Sequence, residues 1–176
     1  DGAQRWEFDP TDNGAGAGFG LMSAALSSDS RLLHVTYQDT ENSKLILYAI
    51  NPYNGSLIWE YSLPGADSRF SSPTLDDAGN IYVADKYKLY SVSRDGDLNW
   101  DRQLSSRKWI RTPAIGPDGF IYVISQEKSK VNTRYIWKLD PENGDIIWKE
   151  SPIEPQKLLY NGLTIGEDGT IYTIGY

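Results

Sequence analysis

His34 is the single histidine of the chain, and there is no cysteine. Disulfides, thiolate metal sites and cysteine nucleophiles are therefore excluded, and a histidine triad or metal pair has no second ring to work with. The acidic turns Asp76-Asp77, Asp118 and Glu167-Asp168 offer oxygen ligands of the kind calcium takes. They sit at equivalent turns of separate repeats and lack the dense acidic spacing of a calcium loop, so turn formation accounts for them. The run Gly14-Ala15-Gly16-Ala17-Gly18-Phe19-Gly20 has neither the Lys-Ser or Lys-Thr pair nor the strand-to-helix context of a phosphate loop, and reads as a flexible connection into the first repeat. Asn54-Gly55-Ser56 satisfies the N-glycosylation pattern but lies inside a turn. Trp109, beside Arg107, Lys108 and Arg111, is the best candidate for surface recognition. No residue is assigned a catalytic, cofactor-binding or metal-binding role.

Composition narrows the partners. The 176 residues are 39% hydrophobic and 23% charged, with a net charge of -7, which suits one globular domain and opposes polyanionic partners. Nucleic acid and anionic membrane surfaces are disfavoured on this ground. No apolar run reaches the roughly 18 residues that span a bilayer.

The elements that must position these residues form a repeat. Ser72-Pro73-Thr74-Leu75-Asp76-Asp77-Ala78-Gly79-Asn80-Ile81-Tyr82-Val83 returns as Thr112 to Val123 and as Gly162 to Thr173. A weaker copy runs from Ser23 to Val35, with Ser30 at the glycine position and His34 where the others carry Val83, Val123 and Thr173. Each copy is a short apolar strand, an Asp- and Gly-bearing turn and a strand rich in β-branched and aromatic residues, which is a hairpin signature. A second unit follows each hairpin: Leu47 to Trp59, Leu89 to Trp100 and Ile136 to Trp148, each with an Asn-Gly or Asp-Gly turn, plus a truncated copy ending at Trp6. Every full repeat therefore holds four strands. The terminal Trp residues recur at intervals of 53, 41 and 48, matching propeller blades of roughly 40 to 50 residues.

This second unit resembles the tryptophan-docking motif of the pyrroloquinoline-quinone-like, or quinoprotein-type, β-propeller repeat family, approximately Ala-x-Asp-x-x-x-Gly-x-x-x-Trp. The copy ending at Trp59 keeps Ala49 and Gly55 but has Asn51 at the Asp position; that ending at Trp148 keeps Asp140 and Gly144 but has Lys138 for Ala; that ending at Trp100 is one residue shorter, with Ser91, Ser93 and Gly96. The resemblance implies that Trp6, Trp59, Trp100 and Trp148 pack between neighbouring blades and that Gly55, Gly96 and Gly144 let the outer hairpins turn. It also implies an all-β fold, a β-propeller of four-stranded antiparallel blades.

The expected layout is one propeller domain or fragment over 1–176. It comprises an outer strand of a split blade at 1–10, repeats at 19–63, 70–104 and 111–151, and the start of a fourth at 161–176. The third strand missing after 161–176 and the start at Asp1 favour a portion of a larger propeller, ahead of a homo-oligomeric ring shared by two copies and a self-closed four-bladed ring. Dehydrogenases of the family hold a quinone with calcium, a catalytic Asp and, in several, a vicinal disulfide; other members are non-catalytic. Without convergent catalytic groups, the expectation is a non-enzymatic scaffold or binding module in an extracytoplasmic setting (periplasmic, secreted or cell surface). It needs no cofactor and uses one channel mouth for a protein partner or small ligand. The alternative is part of a quinone-dependent dehydrogenase whose cofactor site lies mostly on blades outside this chain.

Overall fold

The computed structural model describes residues 3–21, 23–63, 70–105, 109–126, 133–151 and 162–173. Among these, regular structure is all β apart from a 3-10 turn at Pro10–Asn13. The first sheet contains β1 (Gly18–Leu21), β2 (Ala25–Leu26), β3 (Leu33–Asp39), β4 (Lys44–Ile50) and β5 (Leu57–Leu63); β1 and β2 both pair with β3. The second has β6 (Thr74–Leu75), β7 (Ile81–Ala84), β8 (Lys88–Val92) and β9 (Leu98–Gln103), in that order. The third repeats it with β10 (Ala114–Ile115), β11 (Ile121–Gln126), β12 (Arg134–Leu139) and β13 (Ile146–Glu150). A fourth contains β14 (Thr164–Ile165) and β15 (Ile171–Tyr172). Neighbouring strands are antiparallel throughout. The chain therefore has the expected fold of successive propeller blades.

The second and third sheets are each a layer between two others, and the period-2 alternation of their strands divides their side chains between two interfaces. In β7, Ile81 and Val83 join Tyr90 and Val92 against Leu45, Leu47 and Leu63 of the first sheet. Tyr82 and Ala84 point the other way, joining Leu89 against Ile121, Val123 and Leu139 of the third. Because both faces are covered, β7 and β11 are buried along their whole length. Outer strand β5 instead alternates between partly buried and exposed residues over most of its length.

The motif tryptophans join one layer to the next. The Trp6, Trp59 and Trp100 indole rings lie over Gly55, Gly96 and Gly144. Their Nε1–H groups donate to the carbonyls of Pro52, Arg94 and Pro141, each at 2.9 Å. A β-bulge just before each tryptophan of β5, β9 and β13 aims the ring: the register slips between Ala49 and Ile50, between Ser91 and Val92, and between Lys138 and Leu139. The extra residue in each case, Ile58, Asn99 or Ile147, faces away from the ladder step, and the strand twists there.

The amino-terminal end bears on two of the expectations. Residues 3–9 belong to no strand of the described chain, so the outer strand anticipated at 1–10 makes no ladder here. Trp6 is held by its docking contacts, and Phe8 meets Tyr48 edge-on with ring centroids 5.2 Å apart. The glycine-rich run is not merely a connection either, since it leads into β1. Gly16 N–H donates to Asp39 at 2.9 Å and Tyr37 hydroxyl donates to Gly16 carbonyl at 2.9 Å. A Cβ at Gly16 would sit 2.7 to 2.8 Å from Asn42, Asp39 and Glu41, so these small residues permit close approach of backbone to the first sheet.

Gly144 and Gly119 separate docking from turn strain. Both have positive φ, 71° and 78°, but a Cβ at Gly144 would lie 2.6 to 2.9 Å from the Trp100 ring whereas one at Gly119 meets nothing within 4 Å. Gly119→Ala is expected to cost about 1 kcal/mol from backbone strain. Gly144→Ala is expected to cost about 1–3 kcal/mol more, as the indole is displaced. Urea unfolding of the two variants measures the difference, and equal losses would refute the docking contribution.

Candidate functional site

The innermost strands β6, β10 and β14 stand side by side, each ending in an apolar residue at the same ladder position: Leu75 opposite Ile81, Ile115 opposite Ile121, Ile165 opposite Ile171. The Thr74 hydroxyl ties the second blade to the third, donating to the Pro113 carbonyl at 2.7 Å. The turns that follow these strands surround a cavity of about 530 Å³, lined by Leu75 to Ala78, Ile115 to Pro117, Gly119 and Ile165 to Glu167. The cavity is therefore built from one turn repeated in three blades. Leu26, the corresponding residue of the first sheet, is 50% exposed.

The acidic residues around this cavity divide by what they touch. Asp76 accepts from Asn80 N–H at 2.8 Å, Asn80 Nδ2 at 2.9 Å and Tyr82 hydroxyl at 2.8 Å. Asp118 accepts from Tyr122 hydroxyl at 2.7 Å and Lys138 Nζ at 2.8 Å. Burial opposes ionisation of Asp118, yet the Lys138 and Tyr122 hydrogen bonds hold its pKa below the usual carboxylate value. Burial, then the hydrogen bond to Asp76, push the Tyr82 hydroxyl pKa far upward. Asp168 accepts from Thr170 N–H and hydroxyl, both at 2.9 Å, and these bonds lower its pKa.

Two sequence positions thus deliver one carboxylate. In the second blade it comes from the first turn residue, Asp76; in the third from the third turn residue, Asp118, with Gly116 vacating the first. A Cβ on Gly116 would come within 2.6 Å of the Asp118 carboxylate and 2.7 Å of the Tyr122 ring. These carboxylates fasten a tyrosine to its turn. Asp77 and Glu167, by contrast, make no hydrogen bond or ion pair among the described residues.

A quinone with calcium would need free oxygens converging on one point. Asp76 and Asp118 already have theirs engaged, and no three His, Cys, Asp or Glu side chains gather among the described residues. The residues present do not fit that pair, and no chemistry is derived through it.

His34 departs from its expected alignment. It pairs with Ala25 as Tyr82 pairs with Thr74, so it occupies the tyrosine position and not that of Val83. The first turn, closed from Ser27 N–H to Leu32 carbonyl, is one residue longer than the Asp76 to Asn80 turn, and this shifts the register. His34 then packs on Trp59, with ring centroids 5.6 Å apart, as Tyr82 packs on Trp100 and Tyr122 on Trp148. It is fully buried, and neither ring nitrogen has a hydrogen-bond partner.

The surface-recognition residues lie elsewhere. Arg111 stacks its guanidinium 5.7 Å from the Trp109 ring centroid. Ile110 bridges to Ser125, at the far end of β11 from the Ile115–Ile121 pair, so Trp109 and Arg111 are at the opposite end of the blade from the cavity. Arg107 and Lys108 fall outside the described residues. The cavity itself was not singled out from the sequence, although its signal was there in the equivalence of Leu75, Ile115 and Ile165.

Residues 1–150 match the family model described as outer membrane protein assembly factor BamB. The chain belongs to this BamB-like family of quinoprotein-type propellers. Among solved structures, BamB from Moraxella catarrhalis superposes with a TM-score of 0.57 and 17% identity, over 90% of this chain and 48% of that one. A protein of unknown function from Bacteroides caccae gives 0.57 and 16%, over 78% and 48%. The chain thus spans about half the length of these structures, and the likeness speaks to fold. Among curated protein sequences, none matches the chain.

His34 makes stability fall with acid. Burial, then the nearby Arg94 charge, hold its folded pKa down to about 4 from 6.5. The unfolded chain therefore takes up the proton first, and stability is full above about pH 6.5 and lost as pH falls toward 4. The loss amounts to about 3 kcal/mol across that window. His34→Phe is expected to remove most of it when urea midpoints are compared between pH 7 and pH 4; an unchanged pH dependence would show that His34 is not its source.

Proposed function

We propose that this BamB-like chain is a non-catalytic binding module, and that the mouth lined by the turns after β6, β10 and β14 receives a protein partner. The observation that supports this most is the cavity itself. It is assembled from one turn in three successive blades, so its walls are as rigid as the blade stack, while the turn residues at its rim are free to vary without disturbing the layers. Its volume lies within the roughly 300–1,000 Å³ of ordinary ligand sites. The carboxylates that would otherwise suggest chemistry are engaged with tyrosines and turn amides. An extracytoplasmic setting fits the family description, outer membrane protein assembly. No helix among the described residues is long and apolar enough to cross a membrane.

Photo-crosslinking in the host tests the reading. A benzoylphenylalanine placed at Asp77 or Pro117, on the mouth, is expected to trap a discrete partner, whereas one at Asn54 or Glu142, on the outer turns, is not. Crosslinks confined to the outer turns, or none from any position, would refute the mouth as the binding surface. Saturable binding of pyrroloquinoline quinone with calcium, accompanied by dye reduction with alcohols, would refute the non-catalytic assignment.

A further inference from the structure

The charge around the mouth is one-sided, and this bears on what enters it. Four acidic residues of the described surface are neutralised by a basic side chain: Asp29 by Arg94, Asp101 by Lys88, Asp118 by Lys138 and Asp145 by Arg102. None of these four lines the cavity. The acids that do line it, Asp76, Asp77 and Glu167, have no basic partner among the described residues, and no Lys, Arg or His among those residues contributes to its wall. Asp76 is hydrogen-bonded only by neutral donors, Asn80 and Tyr82, so its charge is oriented and left uncompensated. Beneath the acids lies an apolar collar of Leu75, Ile115 and Ile165, all partly buried. A low-dielectric wall under carboxylates of one sign focuses a negative potential into the opening, and the chain's net charge of -7 adds to it at longer range.

We infer that the mouth receives a partner segment carrying lysine or arginine next to aliphatic residues. The aliphatic groups and the methylene stem of the basic side chain cover the Leu75, Ile115 and Ile165 collar, while the cationic head stays at the rim beside Asp77 and Glu167, where it keeps much of its hydration. Acidic and neutral polar segments are rejected, the first by like charge and the second for want of any ion to pair. This inference rests on the proposed binding mouth and adds the chemistry of its partner.

The test uses the full isotope-labelled chain and three short acetylated peptides in which leucine alternates with lysine, with serine or with glutamate. Amide spectra are recorded through each titration. The lysine peptide is expected to shift Ile115, Gly116, Gly119 and Ile165, to weaken as salt rises, and to bind roughly three- to tenfold less well to the Asp77→Asn, Glu167→Gln double variant. That variant changes only two of 24 acidic residues, so diffuse attraction to the acidic protein would barely respond. Equal binding of the serine or glutamate peptide at the same amides would overturn the cationic preference and leave the mouth as a binding site. Lysine-peptide shifts elsewhere, or affinity unaltered in the double variant, would overturn the inference as well. If no peptide moves any mouth amide, both the inference and the binding mouth fail.

Discussion

The stacking of a tryptophan ring on a glycine of the next blade is the constraint on which the rest of the structure depends. A β-sheet of four short strands with apolar side chains on both faces leaves that surface in water unless neighbours cover it, so the blades here gain their stability by packing on one another. Trp59 and Trp100 do this at the periphery, where the layers would otherwise splay. A large ring adds apolar burial, and its single N–H meets a turn carbonyl that would otherwise face solvent. The arrangement demands three things of the sequence at once: an aromatic ring, a bulge that turns it outward and a residue without Cβ to receive it. Every blade-to-blade contact further in, down to the inner strands at the channel, has its spacing set by that outer fit.

The degeneracy of the motif follows from the same geometry. Asn51 stands where Asp140 does in the third blade, and both side chains accept the amide two residues on, from Tyr53 and Glu142 at 2.9 and 2.8 Å. The site asks for an acceptor, and charge is incidental. In the shorter turn Ser93 takes the same office, accepting from Asp95 and Asp97, and the tryptophan bonds the carbonyl two residues before the glycine instead of three. Lys138 occupies the small-residue position opposite Trp148 because it can lie across the Phe120 ring, 4.2 Å from its centroid, and end on Asp118. What looks like erosion of a pattern is substitution within one set of physical requirements.

This also explains what could be read in the sequence. Hairpins and docking tryptophans were legible because Asn-Gly or Asp-Gly turns and the Trp that follows them recur together at blade length. The bulges at Ile58, Asn99 and Ile147 were not, since an extra residue in a ladder leaves no mark of its own in composition. The position of His34 was missed for a related reason. Ser30 at the glycine site suggested an ungapped alignment, whereas the Ser27 hydroxyl, accepting from Arg31 and Leu32 N–H groups, stabilises a turn one residue longer. The cavity is marked in the sequence only by the equivalence of Leu75, Ile115 and Ile165, because its walls come from segments about 40 and 50 residues apart that the stacking of blades brings together.

The turn carboxylates show how such a scaffold separates structure from recognition. A carboxylate that reaches back to the tyrosine of its own hairpin can come from the first turn position, as with Asp76 opposite Ala78, or the third, as with Asp118, where Gly116 leaves the first place clear. The fold fixes where the charge must be and leaves open which residue supplies it. Once that inner requirement is met, the second turn position is under no such demand: it holds Asp77, Pro117 and Glu167, two acids and a proline, while the hairpins around them pair in the same register. Variation is therefore concentrated at the rim of the mouth, on a backbone that the blade stack holds still. A surface that is rigid in shape and unconstrained in sequence is where a repeat protein acquires specificity, and here that rim is acidic over an apolar collar.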